Sequence, residues 1–582
     1  MSLTRFEQVW VYDFEYCYTN RNEGNPPSPV CMVAYEVNSR TVLRLWFDGS
    51  NHRPRCPFRV DERSVFLAYS APADLQCFLA LGWPIPKYNI DLRAEFRALA
   101  NQQDSSKSSL LWALNYYGLP AIASDEKDAQ RDRILQGWPF SADERREIMD
   151  YCESDVIGTV RLWFKLAVDL NWNAALFRGA VAVAVARTEL RGIPVDAELI
   201  ETVKTHRVDL QRALIVEKDA FQIYRGINFE QRRFAAFLRK NRIPWPRHTS
   251  GQLKLDRDVF RRMAELIPAL APLAELRQSI SLLREFKLPV GDDGFARCSL
   301  IPFSTRTGRN TPPANKFIFT MPQWARYFIK PPVGYGCTYI DFAQEEFLIA
   351  AVRSGDKNMI QAYYSGDPYL QFAIMAGAAP ADATAASHGD IRSQYKIAAL
   401  AVQFMMGEHS LAKQLNSQLA FARHLLQQHR AVFADFWRWS DGIEAFVAEQ
   451  GYLNGPLGWR IQYTDRVKAN PRSARNFPVQ SWGSGILWLT LAWADQNQLP
   501  ISATVHDAVL VTAPVQDLPD VERRTVEVME TASAKLLDGY RVKARAESRV
   551  KYPGRMKPVK GAAFWHSIMR ILQQQRTFRK TA

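Results

Sequence analysis

The chain has 582 residues, of which 47% are hydrophobic and 12% aromatic, so a disordered protein is excluded and several domains are expected. Its net charge of +14 favours a polyanionic partner, nucleic acid first and an acidic membrane surface second. The sequence pI of about 9.4 agrees with that choice.

The seven cysteines are scattered and contain no CxxC pair. This usage indicates free thiols in a reducing compartment, and it excludes both a disulfide framework and a zinc site. The N-terminus is not a signal peptide, and no apolar run approaches the roughly 18 residues of a membrane span. A cytoplasmic protein without a membrane partner is therefore predicted.

The first predicted strand, residues 9–16, carries Asp13 and Glu15. Residues i and i+2 of a strand face the same side, so these two carboxylates project together. Acidic groups in an apolar strand are costly unless cations neutralise them, and a solvated strand edge is the alternative. Asp74 follows at a predicted helix start, and Asp91 is expected to begin another element with a structural role.

A helical pattern over residues 148–158 places Tyr151 and Asp155 one turn apart on one face. Four carboxylates and a phenol in this order resemble the DnaQ-like proofreading exonucleases. That family's second motif, His-Asn-x3-Asp, is here Tyr69-Ser70-x3-Asp74. The resemblance implies that Tyr151 orients the attacking water and that two Mg²⁺ or Mn²⁺ ions are held by Asp13, Glu15, Asp74 and Asp155.

Residues 174–300 read as helices, with breaks at 192–194 and 243–246. Leucine stripes define their apolar faces, and Arg277 and Arg284 lie on the polar side. For any single arginine a solvated helix face is the favoured explanation, whereas the basic helices taken together suit contacts to a phosphate backbone. The region weakly resembles a polymerase thumb.

A polar turn with Arg309 precedes a short strand that ends at Asp341, and a helical pattern follows. The turn alone reads as a surface loop, and a strand-end aspartate is also a common helix N-cap. A second apolar strand is broken in its middle by His506-Asp507. Two such carboxylates at one sheet edge can hold two divalent cations about 3.5–4 Å apart, as in-line phosphoryl transfer requires.

A predicted helix carries Arg392, Lys396, Leu400 and Phe404 at four-residue intervals, which places them on one face. Two cations followed by an apolar surface suit a triphosphate and a base, and an amphipathic helix with a solvated basic end is the alternative.

Asn476 and Gln480 precede an apolar helix predicted from residue 486. These amides suit minor-groove acceptors shared by all base pairs, and capping of that helix is the alternative.

Together these motifs resemble family A DNA polymerases, of the bacterial polymerase I large-fragment and phage type, over about residues 1–550. The resemblance implies that Asp341 and Asp507 hold two Mg²⁺ ions, with Mn²⁺ possible, and that Glu346 excludes a ribose 2′-hydroxyl. The other implied nucleotide-binding residues are Arg392, Lys396, Leu400 and Phe404. The implied DNA contacts are Arg309, Asn476, Gln480, His506 and Arg460.

Lys396 is also implied to protonate the pyrophosphate leaving group, and the neighbouring Glu345 is expected to face solvent. The sequence departs from the family at three places. Leu400 replaces an aromatic residue, Phe404-Met405 replaces Tyr-Gly, and Ala508 replaces a glutamate. None of these is an indispensable metal ligand.

The resemblance implies a mixed α/β and α+β multidomain fold, an RNase H-like exonuclease followed by a right-hand polymerase. The implied domains are the exonuclease at 1–173, the thumb at 174–300 and the first part of the palm at 301–355. The fingers follow at 356–445, and the second part of the palm with the C-terminal tail at 446–582.

The predicted function is template-directed DNA synthesis with 3′–5′ proofreading, on primer–template DNA and dNTPs. A processivity or replisome factor is a further expected partner, and the compact length indicates a phage-like enzyme. A single-subunit RNA polymerase, and a nuclease or DNA-binding protein with an inactive polymerase half, are the alternatives.

Overall fold

The computed structural model describes residues 6–49, 53–101, 107–120, 124–403, 405–463 and 470–581, without the side chains of 124–128 and 575–581. Phe404, predicted to contact the nucleotide, lies outside the described residues. Within these ranges no helix combines the length and apolar character that crossing a membrane requires.

The first part of the described chain is built on a mixed sheet. Its strands β1 to β5 are Gln8–Tyr18, Pro27–Glu36, Val42–Trp46, Ser64–Ala68 and Tyr88–Asp91. The spatial order is β3-β2-β1-β4-β5, so β1 is central. It pairs antiparallel with β2 and parallel with β4, and β4 pairs parallel with β5.

Helices cover both faces of this sheet, and each face has its own apolar core. Helices α1 to α5 are Ala71–Ala80, Leu92–Leu99, Leu110–Tyr116, Ser124–Gln136 and Ala142–Leu166. Asp91 caps α2 by accepting from the Arg93 and Ala94 amides, which confirms its structural role. A capping box of Ser141 and Glu144 starts α5, which packs on β1 and β2.

The predicted helical region follows, with short strands between its helices. Helices α6 to α11 are Trp172–Arg191, Ala197–Thr205, Arg207–Lys218, Gln231–Lys240, Arg257–Leu266 and Ala271–Arg284. Strands β6 to β9 are Ile193–Pro194, Tyr224–Arg225, Asn228–Phe229 and Phe295–Ala296. Arg277 is not simply solvated, because its guanidinium lies 4.2 Å from the Phe229 ring centroid and donates to the Leu255 carbonyl.

The second half is organised around an antiparallel sheet. Its strands β10, β13, β14 and β15 are Tyr335–Phe342, Ile501–Val505, Ala508–Pro514 and Ala544–Lys551. The order is β13-β14-β10-β15, and β11 and β12, Tyr452–Asn454 and Arg460–Gln462, form a separate hairpin. The long helix α20, Leu518–Leu536, packs against β10, β14 and β15.

Seven helices lie between β10 and β11 in the described chain. Helices α12 to α18 are Glu345–Ser354, Lys357–Tyr364, Pro368–Met375, Gly389–Gln403, Glu408–Gln414, Leu419–Val432 and Ala434–Gln450. Helices α19 and α21 are Pro471–Gln496 and Ala562–Thr581.

A buried ion pair links α2, which packs beside the first sheet, to α6 of the helical region. Arg178 on α6 is 2% exposed and Glu95 on α2 is 1% exposed, and two N–H···O bonds of 2.6 Å link them. Arg178 also donates to the Leu457 carbonyl at 3.2 Å. Removing either partner would leave the other charge buried and uncompensated, which is costly.

Candidate active sites

Asp13 and Glu15 lie on β1, the central strand of the first sheet, so the strand-edge alternative is wrong. Their carboxylates meet Cys152 of α5, and one ligand atom from each of the three lies within 4.8 Å of the others. The Cys152 thiol donates to the Asp13 carbonyl at 3.4 Å. Burial, followed by the charge of Asp13, raises the pKa of Glu15 well above its usual range.

Asp74 lies in the first turn of α1 and is 3% exposed. Its Oδ1 accepts from the Phe14 amide at 3.0 Å, which fixes the carboxylate beside β1. Burial, and then the charge of Asp13, raise the pKa of Asp74 well above its usual range. Carboxylates that disfavour one another's charged forms in this way fit a divalent-cation site.

Tyr151 and Asp155 lie one turn apart on α5, as predicted. Burial raises the pKa of the Tyr151 phenol, and Asp155 raises it further by its charge and by a side-chain hydrogen bond. The charges of Asp155 and Asp74 also raise the pKa of Glu15, which places all four predicted acids in one electrostatic cluster.

The replaced second motif has its own geometry. Tyr69 points its hydroxyl at the Ser108 carbonyl, 2.8 Å away, and Ser70 takes a left-handed conformation with φ of 70°. The Ser70 amide donates to Asp91 at 3.0 Å. These residues shape the start of α1, which carries Asp74.

In the second half, Asp341 lies near the end of β10, followed by a short turn into α12, as predicted. The run around Asp507 differs from the prediction, because it is a hairpin and not one interrupted strand. Strands β13 and β14 are joined by His506-Asp507, with His506 at φ of 53°. The Phe342 amide donates to the Asp507 carbonyl at 3.2 Å, so the two aspartates are neighbours.

The carboxyl groups of Asp341 and Asp507 lie close enough for the charge of one to act on the other. Burial and the Asp507 charge raise the pKa of Asp341 to about 8. Burial also raises the pKa of Asp507. Asp341 Oδ1 is buried and lacks a hydrogen-bond partner in the described residues. A partnerless buried oxygen in a like-charged pair fits divalent-cation binding, which would neutralise both groups.

Glu346 and Arg309 form an ion pair of 2.9 Å in which each side chain is about a quarter exposed, at 26% and 25%. Arg309 also lowers the pKa of His506, after the larger effect of burial. Both Arg309 and His506 line one cavity with Ser484 and Thr504. The structure therefore gathers three predicted residues beside Asp507.

The prediction that Glu345 faces solvent is wrong. This residue is 3% exposed, and burial together with the charges of Asp507, Glu346 and Asp341 raises its pKa well above the usual range. The helix begins at this residue, so its first turn is packed into the protein and not outward.

The helix predicted to carry Arg392 and Lys396 is α15, with Leu400 half-buried on it. Both cationic side chains lie near the ring of Tyr369. Arg392 Cζ is 6.0 Å and Lys396 Nζ 5.7 Å from the ring centroid. Arg392 is also paired with Asp367. Lys396 is exposed.

Asn476 and Gln480 lie inside α19, which begins at residue 471 and is capped by Asn470. They therefore do not cap an apolar helix, and that alternative is wrong. Both amides line a small cavity together with Glu346 and Gln403. They face the helix that follows Asp341.

Arg460 lies on β12, where its guanidinium stacks 4.4 Å from the Tyr452 ring centroid and donates to Asn454 at 2.9 Å. The guanidinium of Arg460 therefore contacts the β11–β12 hairpin and not the aspartate pair.

Three residues near the sites were not predicted. Cys152 follows Tyr151 directly, which was a usable signal. No sequence signal indicated Tyr369 or Glu547. Tyr369 reaches its site because α14 packs against α15, and Glu547 reaches its site through a register shift in β15. Glu547 raises the pKa of Asp341 by its charge, after burial and Asp507.

The sequence of DNA polymerase I from Chloroflexus aurantiacus is 23% identical over 542 residues, covering 87% of this chain and 56% of that protein. DNA polymerase I from Aquifex aeolicus is 22% identical over 392 residues, covering 63% of this chain and 65% of that protein. For the first of these relatives the chain spans about half of the length, 56%.

A solved structure described as the POL domain of Pol1 from M. smegmatis, in complex with DNA primer-template and dNTP, shares the fold. Its TM-score is 0.68 at 17% identity, and the match covers 96% of both chains. The predicted mixed multidomain fold is confirmed. The family described as DNA polymerase family A matches residues 244–550, more than half of the 582 residues. The chain therefore belongs to DNA polymerase family A.

Proposed function

We propose that this chain is a template-directed DNA polymerase that adds dNTPs to a primer 3′ end. The observation that carries the proposal is the Asp341–Asp507 pair, two half-buried carboxyl groups that lie together where β10 meets the β13–β14 turn. Family membership supplies the substrate class. The relatives' names and the complex of the Pol1 domain with primer-template and dNTP support the choice of DNA.

Asp341 and Asp507 would hold two Mg²⁺ ions, or Mn²⁺. When bound, such ions lower the pKa of the attacking primer 3′-hydroxyl and neutralise charge on the triphosphate. Arg392 and Lys396 bind the triphosphate from α15, and Lys396 gives a proton to the leaving pyrophosphate. Tyr369 holds the two cationic chains side by side through its ring face.

Glu346 rejects a ribose 2′-hydroxyl, and its ion pair with Arg309 holds the carboxylate in place. Asn476 and Gln480 contact the minor groove from α19, and His506 and Arg309 lie near the primer end. Arg460 contacts the duplex from its hairpin, and Leu400 faces the nucleotide. Amide and phosphate contacts of this kind bind DNA without reading its sequence.

We further propose 3′–5′ proofreading by the first sheet. The first sheet precedes residues 244–550, which are the residues that the family matches. The proofreading proposal therefore depends on the acid cluster alone. The four acids Asp13, Glu15, Asp74 and Asp155 would hold two divalent cations there, and Tyr151 would orient the water that attacks the terminal phosphodiester.

The domain division is proposed as part of the same scheme. Residues 1–173 would form the exonuclease and 174–300 the thumb. The palm would comprise 301–355 and 446–582, with fingers at 356–445 between its two parts. The cytoplasmic location, the phage-like character and an accessory replication factor stay predictions.

Primer extension tests the polymerase proposal. The full chain, Mg²⁺, dNTPs and a primer–template should give extended primers, and Asp341→Ala should abolish extension while leaving degradation of single-stranded DNA intact. Ribonucleotides outcompeting deoxyribonucleotides would favour the RNA polymerase alternative. A wild-type chain that degrades or binds DNA but never extends a primer would favour the inactive-polymerase alternative.

Exonuclease assays test the proofreading proposal independently. Asp155→Ala should abolish degradation of a 3′ end and preserve extension. Asp150→Ala is a matched control on the same helix, because its side chain is 69% exposed and pairs with Arg44 at the surface. Equal losses in both variants would show that the helix, and not the metal site, had been damaged.

A further inference from the structure

A buried arginine of helix α2 holds the loop of residues 302–309, the Arg309 loop. Arg97 is 4% exposed, and its guanidinium donates to the Phe303 carbonyl at 3.3 Å and to the Ser304 carbonyl. Burying a guanidinium is costly unless its N–H groups find acceptors. The loop supplies those acceptors, so the two segments are fastened together.

Two further side chains at this end of the first sheet contact the Arg309 loop. Arg93 of α2 donates to the Pro302 carbonyl at 3.3 Å and to the Ser304 hydroxyl at 3.0 Å. Asn101, two residues beyond α2, is 2% exposed, and its side-chain amide donates to the Arg306 carbonyl at 2.9 Å. The loop is therefore held at several points along its length.

Hydrogen bonds inside the loop carry this attachment to Arg309. The Ser304 amide donates to the Arg309 carbonyl at 3.1 Å, and the Arg309 amide donates to the Thr305 hydroxyl at 2.7 Å. Gly308, at φ of 85°, takes the left-handed conformation that the turn requires. The Arg309 guanidinium then donates to Glu346 at 2.9 Å. Direct contacts thus run from Arg97 through Ser304 and Arg309 to Glu346.

Helix α2 is itself anchored in the first sheet. Asp91 ends β5, caps α2 and accepts from the Ser70 amide at 3.0 Å. Ser70 starts α1, the helix that carries Asp74. The first sheet therefore gives the Arg309 loop a rigid support.

We propose that Arg97 is a positioning residue of the polymerase centre, which holds the Arg309 loop so that the Arg309 guanidinium stays on Glu346. The inference rests on the proposed polymerase function and on sugar choice by Glu346. A loop released from α2 would let Arg309 leave that carboxylate, and a displacement of about 1 Å remote from the chemistry can cost up to about 100-fold in rate. The first sheet would then serve DNA synthesis through α2, in addition to proofreading.

Sugar discrimination in single-nucleotide extension tests the inference. It is the ratio of kcat/KM for a dNTP to kcat/KM for the matching ribonucleotide, so an unfolded fraction lowers both values equally and cancels. Arg97→Met, which keeps a long side chain and removes the donors, should lower the ratio by about 10-fold. Gln462→Ala is the matched control, because that side-chain amide donates to the Leu99 carbonyl of α2 at 3.3 Å and not to the Arg309 loop. It should change the ratio less than about 2-fold.

A double-mutant cycle separates positioning from general damage. Arg309→Ala should itself lower the ratio, and adding Arg97→Met to it should change the ratio less than about 2-fold further, because both act on one contact. Urea unfolding followed by tryptophan fluorescence shows whether Arg97→Met is folded under the assay conditions. If it is not, Asn101→Leu removes another support of the loop and decides the question, with a fall in the ratio expected.

Three results would each overturn the inference: an unchanged ratio in the folded variant, an equal fall in Gln462→Ala, or full additivity of Arg97→Met with Arg309→Ala. A wild-type chain that extends no primer, or that uses ribonucleotides as readily as deoxyribonucleotides, would instead overturn the proposed function.

Discussion

Replacing Asp341 by asparagine should abolish primer extension and, in the absence of divalent cations, stabilise the protein at alkaline pH. The pKa of Asp341 is raised from 3.8 to about 8 in the folded chain by burial and by Asp507. Ionisation therefore favours the unfolded state, where the group titrates normally. The resulting loss of stability begins as the pH rises above about 4 and is complete above about 8.

The difference between these pKa values, 3.8 and about 8, corresponds to roughly 6 kcal/mol as an upper limit. Because Asp341 is only partly buried and its ionisation depends on that of Asp507, the expected stabilisation for Asp341→Asn at pH 8.5 is smaller, about 2 kcal/mol. Asparagine does not titrate and has nearly the same shape. The gain should be much smaller at pH 4.5, which lies only just above the unfolded-state pKa of 3.8, so that most of the loss of stability has still to develop as the pH rises towards about 8.

Urea unfolding followed by tryptophan fluorescence, at pH 4.5 and 8.5 and without divalent cations, measures this difference. Mg²⁺ should then stabilise the wild type more than the variant, because the variant has lost one ligand charge. The reasoning is refuted if Asp341→Asn is no more stable than wild type at pH 8.5. A gain of equal size at both pH values would also refute it, since it would then not arise from ionisation.

Three further substitutions have defined outcomes. Arg178→Met should cost about 3–5 kcal/mol in urea unfolding because it leaves Glu95 buried without its partner, and adding Glu95→Leu should recover most of that loss. Glu346→Ala should raise ribonucleotide incorporation relative to deoxyribonucleotide incorporation by about 10²-fold in single-nucleotide extension; an unchanged ratio would remove its role in sugar choice. Lys396→Ala should lower kcat/KM for dNTPs by about 10-fold to 100-fold, and Lys413→Ala on the next helix should not.

Local patterns predicted much of both candidate sites. Alternation along β1 placed Asp13 and Glu15 on one face, and helical spacing placed Tyr151 above Asp155. The abrupt end of an apolar run predicted that Asp341 closes a strand before a helix. These features follow from the two-residue period of a strand and the 3.6-residue period of a helix, which short stretches of sequence already contain.

Other features required the tertiary structure, because they depend on contacts between distant segments. The sequence could not distinguish an interrupted strand from the hairpin at His506-Asp507, since both have the same hydrophobic pattern. Arg392 and Lys396 both lie near the Tyr369 ring because helix α15 packs against α14.

Glu345 is the clearest case. By itself the sequence determined that an acid follows Asp341 at the start of a helix, and the position of a charged residue in the first turn favoured solvent. Only the packing of α12 against α19, where Gly483 leaves space, decided that the carboxyl group is buried beside the aspartate pair. Burial is set by what the rest of the fold places over a residue, and a helical period alone does not contain that information.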